Sequence, residues 1–237
     1  MKILFAGPSL PDAAALCGKN IDVRPPAAHG DVLAATREGA KAIGIVDGNF
    51  EHVAPIWHKE ILHALDQGIA VFGAASMGAL RAAECDAFGM VGIGRIYQDY
   101  ASGRRMDDAD VALLHGPAEL GYPALSLPLV NVEATLDRLE KEKTVEKHDI
   151  LTLRIAATTL FYKERTWSAI IDRAKTALDR TALLQLLLAT TVDQKRTDAL
   201  TLLHILDTFN EKTAKKQGNW TFRATSLWRS VADQHAT

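Results

Sequence analysis

Short apolar runs alternate with amphipathic segments along the first half of the chain, and this alternation restricts the possible folds more than any other feature. The runs are KILFAG (2–7), IDVRP (21–25), KAIGIVDG (41–48) and IAVFGA (69–74), with DVALLHG (110–116) as a candidate fifth. Because most of them are apolar on both faces, they are typical of strands in a parallel sheet that helices cover on both sides. Right-handed crossovers would join such strands.

The segments between the runs have the pattern of helices. Candidate helices are Pro11 to Cys17, Asp31 to Glu38, Pro55 to Gln67 and Ser76 to Asp86. The third is the clearest, because proline suits the first turn of a helix and Ile56, Ile61 and Leu65 form an apolar face. We therefore expect an α/β fold, with an open, mostly parallel, Rossmann-like sheet and helices on both of its faces.

The alternation stops after the helical segment LVNVEATLDRLEKEK (129–143). Residues 146–216 have helical periodicity, with no strand pattern and no proline from residue 129 onward. We expect two domains, an α/β core at residues 1–143 and a helical C-terminal extension at residues 144–237. The helical region follows the sheet in sequence.

Composition excludes several classes of protein. Residues 1–139 carry 11 Lys and Arg against 17 Asp and Glu, and residues 140–237 carry 16 against 12, so nothing indicates nucleic-acid binding. No apolar run approaches the roughly 20 residues of a membrane span, and the N-terminal run is too short for a signal peptide, so we expect a cytoplasmic protein. Cys17 and Cys85 lack the spacing of a disulfide framework or a zinc site, and we expect no metal.

Polar and titratable residues follow the predicted strands. In an open parallel sheet, ligands bind outside the carboxyl ends of the strands, where these loops converge. The candidate site residues in these loops are Gly7, Ser9, Arg24, His29, Asp31, Asp47, Ser76 and His115. The chain has neither a dinucleotide fingerprint nor a phosphate loop, so we expect no cofactor.

Ser76 occupies the corner between a predicted strand and a predicted helix. Serine is a good helix N-cap, and hydrolases also place a nucleophilic serine on such a corner. The first backbone N–H groups of the helix, including those of Met77 and Gly78, would be unpaired and could form an anion site or an oxyanion hole. Arg81 either pairs with Glu84 on the helix surface or reaches this anion site.

Two histidines are candidates for a general base to that hydroxyl. His58 lies with Lys59 near the start of a predicted helix, and His115 follows the candidate fifth strand. Each has the alternative of being a packed or solvated residue. Asp47, at the end of a predicted strand, either starts a turn or orients a base.

Ordered motifs across the first 140 residues resemble the TfuA-like protein family. They are FAGPSLP (5–11), VRPPAAHGDV (23–32), AIGIVDGNFE (42–51), WHKEIL (57–62), VFGAASMGALRAAE (71–84), FGMVGIGRIY (88–97), HGPAELGYPALS (115–126) and VNVEATL (130–136). The resemblance implies an accessory protein of YcaO enzymes, which use ATP to convert a peptide backbone amide into a thioamide in ribosomally made peptide products. The implied partners are a YcaO enzyme and either a ubiquitin-like carrier with a C-terminal thiocarboxylate or a precursor peptide.

Together with this resemblance, the residues predict sulfur delivery by acyl transfer. Our hypothesis is that Ser76 attacks the thiocarboxyl carbon, in a serine-hydrolase-like reaction, while the two amides that follow it stabilise the developing anion. His58 or His115 would move the proton, with Asp47 as orienter. The alternatives are a non-catalytic partner that docks on YcaO and activates it allosterically, and a free-standing nucleotide-binding module.

Overall fold

The core of the fold is a five-stranded parallel sheet. A computed structural model describes residues 1–49, 53–210 and 220–234. The strands are β1 (Lys2–Phe5), β2 (Ile21–Arg24), β3 (Ala42–Ile45), β4 (Ala70–Ala74) and β5 (Val91–Ile93). Neighbouring strands are all parallel, in the order β2-β1-β3-β4-β5. The predicted α/β fold is confirmed, and the first four strands coincide with the first four apolar runs.

Helices follow each strand and then make up most of the remaining described chain. They are α1 (Ala13–Leu16), α2 (Asp31–Arg37), α3 (His58–Asp66), α4 (Met77–Cys85), α5 (Gly94–Ala101), α6 (Leu129–Glu142), α7 (Lys147–Thr158), α8 (Trp167–Ala174), α9 (Arg180–Thr190), α10 (Gln194–Thr208) and α11 (Ser226–Gln234). Within the described ranges, none of the helices combines the length and the apolar character needed to cross a membrane.

The predicted fifth strand at residues 110–116 is wrong. The fifth strand of the sheet is β5, which has only three residues with Gly92 in the middle, so no apolar run marks it in the sequence. In the 110–116 segment, the carbonyl oxygen of Leu114 instead accepts a hydrogen bond from the Leu125 N–H at 2.8 Å. The Leu114 N–H donates to the Ser126 hydroxyl, also at 2.8 Å. This segment therefore pairs locally and does not join the sheet.

The chain forms two compact units, and the second is inserted in the sequence of the first. The first unit comprises residues 1–106 and 196–237, and the second comprises residues 107–195. Helices α6 to α9 of the second unit enclose their own apolar core, which includes Leu136, Leu153 and Leu187. The predicted boundary at residue 143 lies inside this unit, just after α6, and the division into domains 1–143 and 144–237 stays a prediction.

Helix α10 covers one face of the sheet, although it follows the inserted unit in sequence. Its Leu202 and Leu206 are buried in one cluster with Leu4 of β1 and Phe72 of β4. The approach is close, since a Cβ on Gly44 of β3 would lie 2.8 Å from a methyl group of Leu202. Part of the region that the sequence presents as a helical extension thus completes the core of the sheet.

Helix α4 packs directly on the sheet. A Cβ on Gly78 would lie 1.8 Å from the carbonyl oxygen of Ile45, and a Cβ on Gly73 would lie 2.1 Å from the carbonyl oxygen of Gly78. Only glycine allows backbones to approach this closely. These contacts fix the first turn of α4 against the carboxyl ends of β3 and β4, which is where Ser76 lies.

Candidate functional site

The corner between β4 and α4 carries Ser76. After β4 ends at Ala74, Ala75 adopts a left-handed backbone conformation with φ of 66°. Ser76 is half-buried and takes the N-cap position of α4, yet its hydroxyl accepts no hydrogen bond from the first turn of the helix. The interpretation of Ser76 as a capping side chain is therefore wrong for this structure. The hydroxyl is free of its own helix.

Most of the backbone amides that open α4 are already hydrogen-bonded. The Gly78 N–H donates to the carbonyl oxygen of Val46 at 3.3 Å, and the Ala79 N–H donates to the carbonyl oxygen of Ser76 at 2.9 Å. Within the described residues, the Met77 N–H has no acceptor. The prediction that Gly78 offers a free donor is wrong, because its close contact with β3 brings its N–H onto a carbonyl group. One amide rather than two is open beside the Ser76 hydroxyl.

Three side chains from α3 and α4 form one hydrogen-bonded group. The Nε2 of His58 lies 2.8 Å from Oε2 of Glu84, and Nη1 of Arg81 donates to the same oxygen at 2.7 Å. Nε of Arg81 also donates to the carbonyl oxygen of Ile56 at 3.0 Å, just before α3. Of the two alternatives for Arg81, pairing with Glu84 is the one found.

The charge state of Glu84 follows from these contacts. Burial acts to raise the pKa of Glu84, but the hydrogen bonds with His58 and Arg81 outweigh it, so the pKa lies below its ordinary value. The carboxylate is therefore ionised at neutral pH. His58 uses Nε2 for this contact, and its Nδ1 makes no hydrogen bond to any of the described residues.

His58 and Ser76 lie on adjoining elements but do not touch through a hydrogen bond. Ser76 and Glu84 are eight positions apart along α4, so their Cα atoms are separated by about 12 Å along the helix axis. Helical side chains tilt towards the N-terminus of their helix, so the Glu84 side chain extends back in the direction of Ser76. Among the described residues, no hydrogen bond joins the Ser76 hydroxyl to a histidine.

Asp47 connects two loops. Its buried carboxylate accepts hydrogen bonds from the Gly7 N–H at 2.9 Å, the Ser9 N–H at 3.0 Å and the Ser9 hydroxyl at 2.6 Å. These loops follow β1 and β3, where the strand order reverses and where sheets of this order bind ligands. Among the described residues, no histidine is hydrogen-bonded to Asp47, and its role as orienter of a base stays a prediction. Its carboxylate itself occupies the amides that an anionic ligand would need.

Two further predicted site residues hold local structure. Arg24, at the end of β2, forms ion pairs with Asp22 and Glu38. The hydrogen bond with Glu38 and the one with Asp22 raise the pKa of Arg24 above its already high value. The carboxylate of Asp31, at the start of α2, accepts a hydrogen bond from the Ala28 N–H at 2.7 Å. None of these contacts involves Ser76.

Two others contact aromatic residues near the start of α3. The ring of His29 stacks on Trp57, with 5.9 Å between the ring centroids. The ammonium group of Lys59 donates to the carbonyl oxygen of Arg223 at 2.6 Å and lies 4.6 Å from the centroid of Phe222. Lys59 therefore binds the C-terminal segment of the chain.

His115 belongs to the second unit. Its Nδ1 lies 2.8 Å from the carbonyl oxygen of Gly116, its ring contacts Tyr122, and its backbone bridges to Ala124. Because residues 110–116 do not form a strand of the sheet, the sequence argument that put His115 at the edge beside Ser76 fails. A role for His115 as base stays a prediction.

Glu60, which no pattern in the sequence marked as a site residue, has a side chain that is 0% exposed. Its carboxylate accepts hydrogen bonds from the N–H groups of Gly30 at 2.9 Å, Leu33 at 3.2 Å and Trp57 at 3.2 Å. It thereby ties the start of α2 to the start of α3. A glutamate three positions after an N-cap is the acidic half of a capping box, but here the N-cap is Trp57, so the usual serine or threonine signal is lacking.

An aromatic group lies between α3 and the C-terminal segment. The ring of His63 lies 5.1 Å from Trp228 and 5.3 Å from Phe222, and Trp228 is 4% exposed. Nδ1 of His63 is buried without a hydrogen-bond partner among the described residues. Burial lowers the pKa of His63 below its ordinary value. Helix α3 is therefore held from its outer side as well as by the sheet.

A comparison with protein families gives one match. A family model described as TfuA-like protein matches residues 47–166, slightly more than half of the 237 residues. The matched range includes His58, Ser76, Arg81 and Glu84. A comparison with curated proteins found no match.

Proposed function

Because this chain belongs to the TfuA-like protein family, we propose that it is an accessory protein of YcaO-dependent peptide backbone thioamidation. The YcaO enzyme activates a backbone amide with ATP, and a sulfur nucleophile then replaces the amide oxygen. The chain supplies that sulfur by cleaving the C-terminal thiocarboxylate of a ubiquitin-like carrier protein. Its partners in this function are the YcaO enzyme and the carrier.

The proposed reaction is acyl transfer at Ser76. The serine oxygen attacks the carbonyl carbon of the thiocarboxylate and forms a C–O bond. The C–S bond then breaks, and the sulfur leaves with the bonding electron pair and takes up the serine proton through a base. Water hydrolyses the acyl-serine ester and regenerates the serine. The net change is thiocarboxylate plus water to carboxylate plus hydrogen sulfide, so no oxidant or reductant is needed.

The observation that carries the proposal is the free hydroxyl of Ser76 on a strained corner. The left-handed φ of Ala75 and the absence of a cap hydrogen bond each cost about 1 kcal/mol of stability. Neither feature helps the fold, and local strain of this kind is typical of functional sites. A strand, a sharp turn and a helix are also the setting in which hydrolases present a nucleophilic serine.

His58 is the base that this proposal uses. It lies on α3 in the same unit as Ser76, and its Nδ1 is open among the described residues. Catalytic hydrogen bonds of free enzymes are commonly long and tighten only when substrate binds. A thiocarboxylate tail seated at the corner, or a water molecule, would connect the serine oxygen with the imidazole.

A cysteine persulfide is not part of the proposed reaction. Cys85 is 1% exposed, and burial raises the pKa of its thiol to about 12. Almost none of it is thiolate at neutral pH, and the thiolate is the reactive form. Cys17 lies outside the range that the family model matches. Serine acyl transfer therefore fits this chain better than a sulfur relay.

Replacement of the nucleophile tests the proposal. Ser76→Ala should lower the release of sulfide from a thiocarboxylated carrier at least about 100-fold. The matched control is Ser102→Ala, which alters an exposed serine after α5 and should release sulfide as the unchanged protein does. Sulfide is measured with a fluorescent trapping reagent, and circular dichroism verifies that both variants fold. Undiminished release by Ser76→Ala would exclude the reaction.

A second function, non-catalytic activation of YcaO, has an observation in its favour. The Gly78 amide is occupied, and no histidine is hydrogen-bonded to Ser76 within the described residues. Free sulfide separates the two functions. If the chain acts only by releasing sulfide, a YcaO reaction supplied with free sulfide no longer needs it. If it acts by docking, it still stimulates YcaO under these conditions, and Ser76→Ala stimulates equally well.

A further inference from the structure

We infer that Glu84, held by Arg81, is a positioning residue that orients His58 so that Nδ1 is the basic nitrogen of the site. This inference rests on the proposed function for its role in the reaction. Glu84 thereby takes the place that the sequence analysis gave to Asp47. The contact itself does not depend on the proposed function.

The contact geometry fixes the carboxylate from two sides. Oε2 of Glu84 lies 2.8 Å from Nε2 of His58, and it accepts a hydrogen bond from Nη1 of Arg81 at 2.7 Å. The guanidinium is itself held in place, because its Nε donates to the carbonyl oxygen of Ile56 at 3.0 Å and its side chain is only 11% exposed. The Ile56 carbonyl belongs to the segment that leads into α3. Arg81 therefore aligns the start of α3, where His58 lies, with the carboxylate on α4.

An ionised carboxylate opposite Nε2 determines which nitrogen of the neutral ring carries the proton. The carboxylate has only acceptor sites, so Nε2 must donate, and Nδ1 then holds the lone pair. A general base needs such a lone pair to take the serine proton. It also benefits from a nearby carboxylate, which stabilises the imidazolium that forms.

Stability does not account for the contact between His58 and Glu84. His58 and Glu84 have side chains that are 44% and 45% exposed, and ion pairs between exposed side chains contribute only about 0 to 1 kcal/mol. Another pair on this chain offers a direct comparison. Arg138 and Glu142 on α6 are joined at 2.9 Å, and Glu142 is 46% exposed. Removing Glu84 should lower the stability somewhat more than removing Glu142, because Arg81 is only 11% exposed and loses its partner, and only Glu84 should affect the site.

The first test determines which nitrogen of the His58 ring carries the proton, without any reference to activity. Nitrogen-15 NMR shifts of the neutral ring distinguish a protonated Nε2 from a protonated Nδ1. In the unchanged protein and in Glu142→Ala, the neutral ring should carry its proton on Nε2 alone. In Glu84→Ala, Nε2 loses its acceptor, and the shifts should move towards a mixture of the two tautomers. Identical shifts in Glu84→Ala and Glu142→Ala would overturn the inference.

The second test measures the release of sulfide. Glu84→Ala should lower kcat at least about tenfold and change KM less than about twofold, whereas Glu142→Ala should change neither. Glu84→Gln keeps an acceptor but removes the charge, so its kcat should lie between those of Glu84→Ala and the unchanged protein. If Ser76→Ala abolishes release while Glu84→Ala behaves like Glu142→Ala, the inference fails and the proposed function stands. If Ser76→Ala releases sulfide normally, the proposed function fails, and the NMR test still decides whether Glu84 positions His58.

Discussion

Removal of the Asp47 carboxylate tests whether this residue links the loops of the sheet edge. Asp47→Ala leaves three donors without an acceptor, namely the N–H groups of Gly7 and Ser9 and the Ser9 hydroxyl. A hydrogen bond to a charged group contributes about 1.5 to 3 kcal/mol. The three share one carboxylate and their losses do not add, so we expect the free energy of unfolding to fall by about 3 to 5 kcal/mol. The total free energy of unfolding of a protein domain is about 5 to 15 kcal/mol.

Two milder variants grade the effect. Ser9→Ala removes only the hydroxyl contact at 2.6 Å and should cost about 1 to 2 kcal/mol. Asp47→Asn keeps the shape of the side chain but loses the charge and one acceptor. Its loss in the free energy of unfolding should lie between those of Ser9→Ala and Asp47→Ala. In the double variant Asp47→Ala with Ser9→Ala, the loss should be smaller than the sum of the single losses, because both remove the same hydroxyl contact.

Urea unfolding followed by circular dichroism measures these losses as shifts of the midpoint at constant slope. The same preparations are assayed for sulfide release at a temperature where all of them are folded. A loss below about 1 kcal/mol for Asp47→Ala would refute the role of Asp47 as a link between loops. Loss of sulfide release without loss of stability would restore Asp47 to the reacting groups.

Further predictions concern backbone contact, pH and the C-terminal segment. Gly78→Ala places a methyl group against the carbonyl oxygen of Ile45 and should lower the free energy of unfolding, measured by thermal unfolding, by at least about 3 kcal/mol. In the control Gly39→Ala, the only strain is the φ of 82°, and the loss should be about 1 kcal/mol. Burial lowers the pKa of His63, so the unfolded chain binds its proton more readily than the folded one. The free energy of unfolding should therefore fall as the pH drops from about 6.5 towards that lowered pKa, and His63→Phe should remove this part of the dependence. Trp228→Ala removes the aromatic contact with His63 on α3. It should clearly increase the rate of proteolytic cleavage within residues 220–234 and should lower the melting temperature only slightly.

The strands and their direction could be predicted because the signal for them is local. KILFAG and KAIGIVDG are apolar on both faces, and such runs become β1 and β3, which are buried between helices. β5 was not predicted, because its three residues around Gly92 are too few to show a hydrophobic periodicity. The segment at 110–116 is apolar enough to resemble a strand, but its partners are residues 124–126. A run predicts that a segment is buried, and not what it pairs with.

The sequence by itself determined that a serine, a histidine and helix-opening amides follow parallel strands, because strand direction alone brings the carboxyl ends of a parallel sheet to one edge. Only the tertiary structure decided the partners. His58 and Glu84 are 26 positions apart in the sequence, and Ser9 and Asp47 are 38 positions apart. The Ile96 N–H donates a hydrogen bond to the carboxylate of Asp198, which lies 102 positions further along the chain. Hydrogen bonds act over about 3 Å, and the position of each group to that accuracy depends on the packing of whole helices. Gly78 illustrates this: the residue is visible in the sequence, but the Val46 carbonyl that occupies its amide is set by how closely α4 approaches β3.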